Sequence, residues 1–215
     1  MNNIIRALLY FIYYVENKET TEISLAHVTN ADKYSNGTED NSMKGLKVIT
    51  RAEWGARPPK EPANNLILYP PSHVVLHHSG SDGCTSQSTC SALIRSRQNL
   101  HMDHYNWSDI SYNFLIGEDG NVYEGLGWGK MGERLSRFDH RSIGICIIGN
   151  FNSREPNSSA IETLKDLIKF GVSDGEIQSN YKLIGHRQIS ASDCPGDRLY
   201  NLIKNSSHFV QNPYN

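Results

Sequence analysis

Residues 181–198, YKLIGHRQISASDCPGDR, place a histidine and a cysteine close behind an apolar run. The run predicts a strand that ends at Gly185, His186 follows it directly, and Cys194 comes eight residues later, just before Pro195. Imidazole and thiolate both bind zinc. The eight-residue step is not a zinc-finger spacing, so the pair alone is more typical of two packed core residues.

Two further strand-like runs carry polar side chains that could meet this pair. HVVLHHS at 73–79 has an apolar centre that predicts a buried strand, and it ends in two histidines. Because side chains alternate along a strand, His77 and His78 point to opposite faces, and one of them can face a cleft. SYNFLI at 111–116 carries Tyr112 near its start.

Five segments of the chain resemble the peptidoglycan recognition proteins, which share a fold with phage-lysozyme-type zinc amidases. They are RAEWGARPP (51–59), HVVLHHSG (73–80), DISYNFLIGEDGNVYEGLGW (109–128), SIGICIIGNF (142–151) and GHRQISASDCPGD (185–197). The segments stand in the family's order and span about residues 46 to 210. The resemblance implies an α/β fold with a mixed central β-sheet covered by helices. The alternation of predicted strands and helices, with one hairpin, favours the same architecture.

The resemblance also implies a zinc site formed by His77, His186 and Cys194, with Tyr112 and Ser192 as catalytic residues. Three protein ligands leave the fourth position open to water, as catalytic zinc requires. Zinc lowers the pKa of such water to about 7. In the family this water hydrolyses the amide between N-acetylmuramic acid and L-alanine. Tyr112 would donate a hydrogen bond to the carbonyl oxygen, and Ser192 keeps a hydroxyl where the amidases usually carry Thr.

Other interpretations of these residues stay open. Tyr112 alone would be an ordinary half-buried aromatic. Cys194 alone would be a structural thiol, or a nucleophile with His186 as its base, which leaves the other histidine without a role. His101 and His104 share one face of a helix predicted over 88–105. We expect this pair to be exposed rather than metal-binding, because no third ligand accompanies it.

By resemblance, five positions contact the substrate: Asn106, Trp107, Leu126, Trp128 and Arg134. Members that prefer diaminopimelate stems carry Gly-Trp at the first pair and an Arg in the Gly-x-Gly-Trp turn. That Arg would pair with the extra carboxylate of diaminopimelate. Here Asn106 and Leu126 replace those residues, so we expect Lys-type or broad recognition. Arg134 would either bind a stem carboxylate or lie on the surface.

The remaining cysteines concern the compartment rather than the site. Cys84 and Cys90 flank the polar loop CTSQSTC, which fits a short disulfide of an exported protein or two free surface thiols. The resemblance implies the disulfide. Cys146 lies in the apolar run ICIIG and is expected to be a buried free thiol.

The 215 residues suit one domain with a tail, and the net charge of −2 gives no strong field to attract nucleic acid. In residues 1–15, Arg6 precedes a nine-residue apolar stretch that is too short to span a bilayer, and we expect a secretory signal peptide there. No small-residue cleavage site follows, so an uncleaved anchor or a start without function are the alternatives. Residues 16–45 predict a polar linker, and residues 46–215 the recognition domain.

The sequence therefore predicts a secreted zinc amidase that degrades bacterial peptidoglycan in innate immunity. The alternative is a non-catalytic receptor that binds muropeptides and signals through a partner. Such members of the family typically carry Ser where this chain has Cys194. A cytosolic structural domain conflicts with the apolar start of the chain and the Cys84 loop.

Overall fold

The computed structural model describes residues 45–133 and 137–214, which form a six-stranded sheet between two layers of helices. The strands are, in chain order, β1 (Val48–Ile49), β2 (His73–His78), β3 (Phe114–Ile116), β4 (Val122–Glu124), β5 (Ser142–Ile147) and β6 (Lys182–Gly185). Their order across the sheet is β1-β4-β3-β5-β2-β6. The expected mixed sheet is confirmed, because β3 and β4 pair antiparallel while every other neighbouring pair is parallel.

The antiparallel pair is the hairpin that the sequence predicts at residues 118–121. The backbone N–H of Gly117 donates to the Asn121 carbonyl over 3.1 Å and closes the turn. Gly120 has a φ of 79°, which a side chain would disfavour, so the Asp-Gly step fits this turn.

The central strands separate two hydrophobic clusters, one on each face of the sheet. On β5, Ile145 and Ile147 belong to the first cluster, whereas Cys146 between them belongs to the second. Every residue of β2 and β5 is buried. Burial on both faces explains why these strands read as nearly continuous apolar runs.

Four α-helices cover the sheet in the described residues: α1 (Arg51–Trp54), α2 (Gln87–Asn99), α3 (Ser158–Ser173) and α4 (Asp197–Ile203). The helix predicted over 88–105 is present as α2, but its bounds and its last turn differ from that prediction. Ser86 caps the helix by accepting a hydrogen bond from the Thr89 backbone, and Leu100–His104 forms a π-helical turn.

The segment around Trp54 is helical. Thr50 and Glu53 form a capping box, which starts the short helix α1. Trp54 is fully buried, and its Nε1 donates to the Glu124 carbonyl over 2.8 Å. The helix therefore ties the first strand to β4.

The remaining expectations concern the cysteines and the first residues of the chain. The Cys84–Cys90 disulfide is present, and Cys146 is a buried free thiol, as expected. Across the described ranges, no helix combines the length and the apolarity needed to cross a membrane. The predicted signal segment, almost all of the linker and Arg134 lie outside the described residues, and the domain limits stay a prediction.

Candidate metal centre and cleft

Two parallel strands bring the predicted metal-binding histidines together. Leu76 of β2 pairs in register with Gly185 of β6, so His77 and His186 follow at the same level of the sheet. Carboxyl ends of parallel strands lie at the same edge, and the two imidazole centroids are 4.5 Å apart. His77 is only 2% exposed, whereas His186 is partly exposed to the cleft.

A return loop delivers Cys194 to the same point. A Cβ atom on Gly185 would lie 2.9 Å from the ring of Pro195, so only glycine lets the loop approach β6 this closely. The backbone N–H of His78 donates to Cys194 Sγ over 3.4 Å. Sγ lies 3.7 Å from Nδ1 of His77.

The three side chains fit a zinc ion. Their ligand atoms all lie within 4.8 Å of one another. In the described residues they form the group of His, Cys, Asp or Glu side chains that is arranged closely enough to bind a metal ion. Tetrahedral zinc with ordinary Zn–N and Zn–S bonds would place sulfur and nitrogen about 3.5 Å apart. Burial raises the pKa of the Cys194 thiol to about 12, so a metal must displace its proton. His77, His186 and Cys194 would hold the ion.

A cleft of about 550 Å³ opens beside these ligands. Its lining residues are His77, His78, Ser79, Arg97, His101, Tyr105, Trp107, Ser111, Tyr112, His186, Ser192, Asp193 and Cys194. The Tyr112 ring packs 5.1 Å from that of His77 and is 8% exposed. The Ser192 hydroxyl is 3.4 Å from Nδ1 of His186. The structure thus brings both predicted catalytic residues to the predicted ligands.

His101 is a cleft residue that the sequence interpretation missed. It was expected to be exposed, but only 3% of it is exposed, and its Nδ1 accepts a hydrogen bond from the Ser111 backbone over 3.1 Å. Burial, assisted by the charge of Arg97, lowers the pKa of His101 to about 3. His104 is exposed as expected. Spacing placed both on one helical face, but the π-helical turn separates their environments.

His78 and Cys146 support the site from behind. His78 faces away from its neighbour, as expected, and its Nδ1 accepts from the Phe151 backbone over 3.3 Å. Cys146 pairs in register with His77 on the adjacent strand. Burial raises the pKa of Cys146, and a hydrogen bond with Tyr112 opposes that shift. The Tyr112 side chain therefore contacts two residues of the sheet, His77 and Cys146.

The predicted substrate contacts divide into two groups. Trp107 borders the cleft and packs 4.8 Å from the His101 ring. Trp128 lies instead in the core, 4.4 Å from the Phe114 ring and 7% exposed. The binding roles assigned to them stay predictions.

Two more of these positions lie away from the cleft. The Asn106 side chain accepts a hydrogen bond from Lys60 over 2.8 Å. Leu126 borders a separate cavity of about 280 Å³. Their roles also stay predictions.

Comparison with known proteins agrees with this geometry. The profile of the N-acetylmuramoyl-L-alanine amidase family matches residues 68–197. Peptidoglycan-recognition protein SC1a of Drosophila melanogaster is 42% identical over 170 residues, which is 77% of this chain and 89% of the relative. The chain belongs to the peptidoglycan recognition proteins. Human peptidoglycan recognition protein 3 is 39% identical over 162 residues, or 75% of this chain and 47% of that protein.

Solved peptidoglycan recognition proteins share the fold. The ectodomain complex of PGRP-LCa and PGRP-LCx bound to tracheal cytotoxin matches with a TM-score of 0.75 at 41% identity, over 77% of this chain and 99% of that one. Wild-type Drosophila PGRP-LB matches with a TM-score of 0.74 at 36% identity, over 77% and 96%. The phage-lysozyme-type amidase fold implied by the sequence is confirmed.

Proposed function

We propose that this peptidoglycan recognition protein is a secreted zinc amidase that hydrolyses the N-acetylmuramoyl-L-alanine bond of bacterial peptidoglycan. The convergence of His77, His186 and Cys194 at an open cleft carries the proposal. Two imidazoles and a thiolate form a three-ligand set, which leaves a position for water. A protein that only binds muropeptides has no need of such a set.

Relatives support the choice of substrate. The PGRP-LCa and PGRP-LCx complex and a mutant of Drosophila PGRP-LB were both solved with tracheal cytotoxin, a peptidoglycan fragment. We infer that the cleft of this chain takes the same class of ligand and serves innate immunity. The Cys84–Cys90 disulfide supports export, because such bonds persist in oxidising compartments.

Each residue of the site has a defined task in this proposal. His77, His186 and Cys194 hold zinc, which when bound supplies a Lewis acid and lowers the pKa of water. Tyr112 lies beside His77, where its hydroxyl can donate to the carbonyl oxygen of the scissile amide. Ser192 supplies a second hydroxyl on the side of His186.

The proposal is tested by digesting purified Lys-type and diaminopimelate-type muropeptides and identifying the products by mass spectrometry. We expect free stem peptide to appear, to stop with a zinc chelator and to return with added zinc. Because the Gly-x-Gly-Trp turn carries Leu126, the Lys-type substrate should be cleaved at least as fast. Tight binding without cleavage, by protein shown to contain zinc, would overturn the amidase and favour the receptor.

A further inference from the structure

Arg97 stands out among the residues that line the cleft. It lies on α2, and of the described lining residues it is the one Arg or Lys. The one carboxylate in that lining is Asp193, which accepts a hydrogen bond from Asn152 over 2.9 Å. Arg97 and Asp193 form no ion pair. The cleft therefore presents a permanent positive charge beside the metal ligands.

The hydrogen bonding of Arg97 leaves most of its donors available. A guanidinium has five N–H donors, and one of them, on Nη2, donates to the Ser79 carbonyl. Within the described residues the other four have no hydrogen-bond partner. Ion pairs hold Arg51, Arg154 and Arg187 by contrast, at 2.8, 2.7 and 2.7 Å from their carboxylates.

Arg97 is partly buried although its guanidinium forms no ion pair within the described residues. Arg97 is neither fully buried nor fully exposed. A charge withdrawn from water is normally compensated by a partner, and Arg is suited to bidentate binding of carboxylates. The bond to Ser79 also fixes the direction of the guanidinium, which reduces the entropy lost when a ligand binds.

The charge of Arg97 reaches the centre of the site. After burial, it is the second cause that lowers the pKa of His101, which packs 5.4 Å from the Tyr112 ring. The guanidinium thus lies close enough to act on His101, which packs against the proposed catalytic Tyr112.

We propose that Arg97 is a specificity-determining residue that binds the free α-carboxylate of the second stem residue. This inference rests on the proposed function. The second residue follows the L-alanine of the scissile amide, so its carboxylate is the stem carboxylate nearest to the metal ligands. Some cell walls amidate this group to isoglutamine, which removes its charge. Arg97 would therefore discriminate between the free and the amidated stem.

The test compares two substrates that differ only at this group, MurNAc-L-Ala-D-isoGlu-L-Lys and its isoglutamine amide. For the wild-type protein we expect kcat/KM to favour the carboxylate by about ten-fold, as a charge-assisted hydrogen bond allows. Arg97→Gln should abolish this preference, with a larger loss of kcat/KM on the carboxylate than on the amide. Arg97→Lys should keep part of it.

Arg95→Gln is the matched control. Arg95 lies on the same helix and also donates to a backbone carbonyl, that of Trp54 over 2.6 Å, but it does not line the cleft. This variant should keep the wild-type preference. An equal loss on both substrates with Arg97→Gln would show that the residue merely supports the Ser79 loop and would overturn the proposal.

Two further outcomes are informative. If Arg97→Gln changed discrimination between Lys-type and diaminopimelate-type stems instead, the carboxylate of the second residue would be the wrong assignment. If zinc-loaded wild-type protein cleaved neither substrate, the amidase proposal would fail. Calorimetry would then measure the affinities of the carboxylate and the amide muropeptide, and their ratio would decide the role of Arg97 independently of cleavage.

Discussion

Two concave regions of the molecule differ in a way that locates its chemistry. The cleft at the ends of β2 and β6 has a volume of about 550 Å³, and a groove along α3 and α4 has about 800 Å³. The larger groove is lined by Ile161, Leu164, Lys165, Ile168, Lys169, Val172, Ser173, Ser179, Tyr181, Leu183, Leu202, Ile203, Asn205, Ser206, Ser207 and His208. Those residues include no cysteine and no carboxylate, whereas the cleft at the ends of β2 and β6 contains the candidate metal ligands His77, His186 and Cys194.

The histidines of the two regions show the same contrast. His208 in the groove stacks on Tyr181 at 4.0 Å, and its Nδ1 is 2.9 Å from the Tyr181 carbonyl. In the cleft, His77 and His186 approach Cys194 from different strands. Convergent donor atoms, rather than volume, distinguish a reactive site from a packing groove.

Cys194→Ser is the substitution for which we expect the largest effect on the cleft. We expect zinc affinity to fall by more than about 100-fold, because a thiolate ligand is lost, and amidase activity to fall to background. Zinc content after dialysis against a competing chelator measures the first effect, and product release the second. Cys146→Ala removes a thiol that is no ligand and should keep its zinc. Stoichiometric zinc in Cys194→Ser would contradict the assigned site.

A core substitution beneath the groove should lower the stability of the fold without lowering zinc binding or activity. Leu167 on α3 is fully buried, and Leu167→Ala should lower the free energy of unfolding by about 2–5 kcal/mol. Urea denaturation measures this loss. The folded variant should retain zinc and kcat/KM at 25 °C. A specific loss of activity without a loss of stability would show that the two faces are coupled.

The pH dependence of stability should arise partly on the cleft side. The folded protein holds the pKa of His101 near 3, while the unfolded chain has an ordinary value of about 6.5. Below pH 6.5 the unfolded state binds a proton that the folded state does not. The free energy of unfolding should therefore fall with decreasing pH, by at most about 1.4 kcal/mol per pH unit from this group.

His101→Gln isolates that contribution, since glutamine can still accept from the Ser111 backbone. The difference in unfolding free energy between the variant and the wild type should shrink between pH 7 and pH 5. Parallel curves for the two proteins would exclude His101 as the source. His73, whose pKa burial lowers to about 4, should contribute in the same direction in both proteins.

The smallest effect is expected at Ser192. Its hydroxyl is exposed and 3.4 Å from His186, so Ser192→Ala should lower kcat/KM by about five-fold, the equivalent of one ordinary hydrogen bond. Ser192→Thr keeps the hydroxyl and should retain activity. Zinc content should not change in either variant. A loss as large as that of Cys194→Ser would make this hydroxyl indispensable rather than auxiliary.

The proposed ligand set could be predicted from the resemblance to a known family, whereas the spacing of His186 and Cys194 alone is more typical of packed core residues. His77 lies near the end of the apolar strand β2, and His186 directly follows β6. The hairpin depends on a short stretch of chain, and its Asp-Gly step predicts the turn. Parallel pairing brings the ends of β2 and β6 together although the two strands are far apart in the sequence.

The missed features depend on contacts that periodicity does not encode. Arg97 and His101 fit a helical pattern, but only the packing of α2 and the π-helical turn bring them to the cleft. Trp128 follows Gly127, which has a φ of 76°, and its indole lies in the core. A turn of this kind redirects a side chain in a way that strand or helix patterns do not predict.

The position of β6 at the edge of the sheet affects how the protein is made. Two of the three proposed metal ligands follow this strand, at residues 186 and 194, whereas the third lies on β2. We expect a nascent chain to remain unable to bind zinc until residue 194 has left the ribosome. During that interval one edge of the buried strand β2 is unpaired, and it can template aggregation.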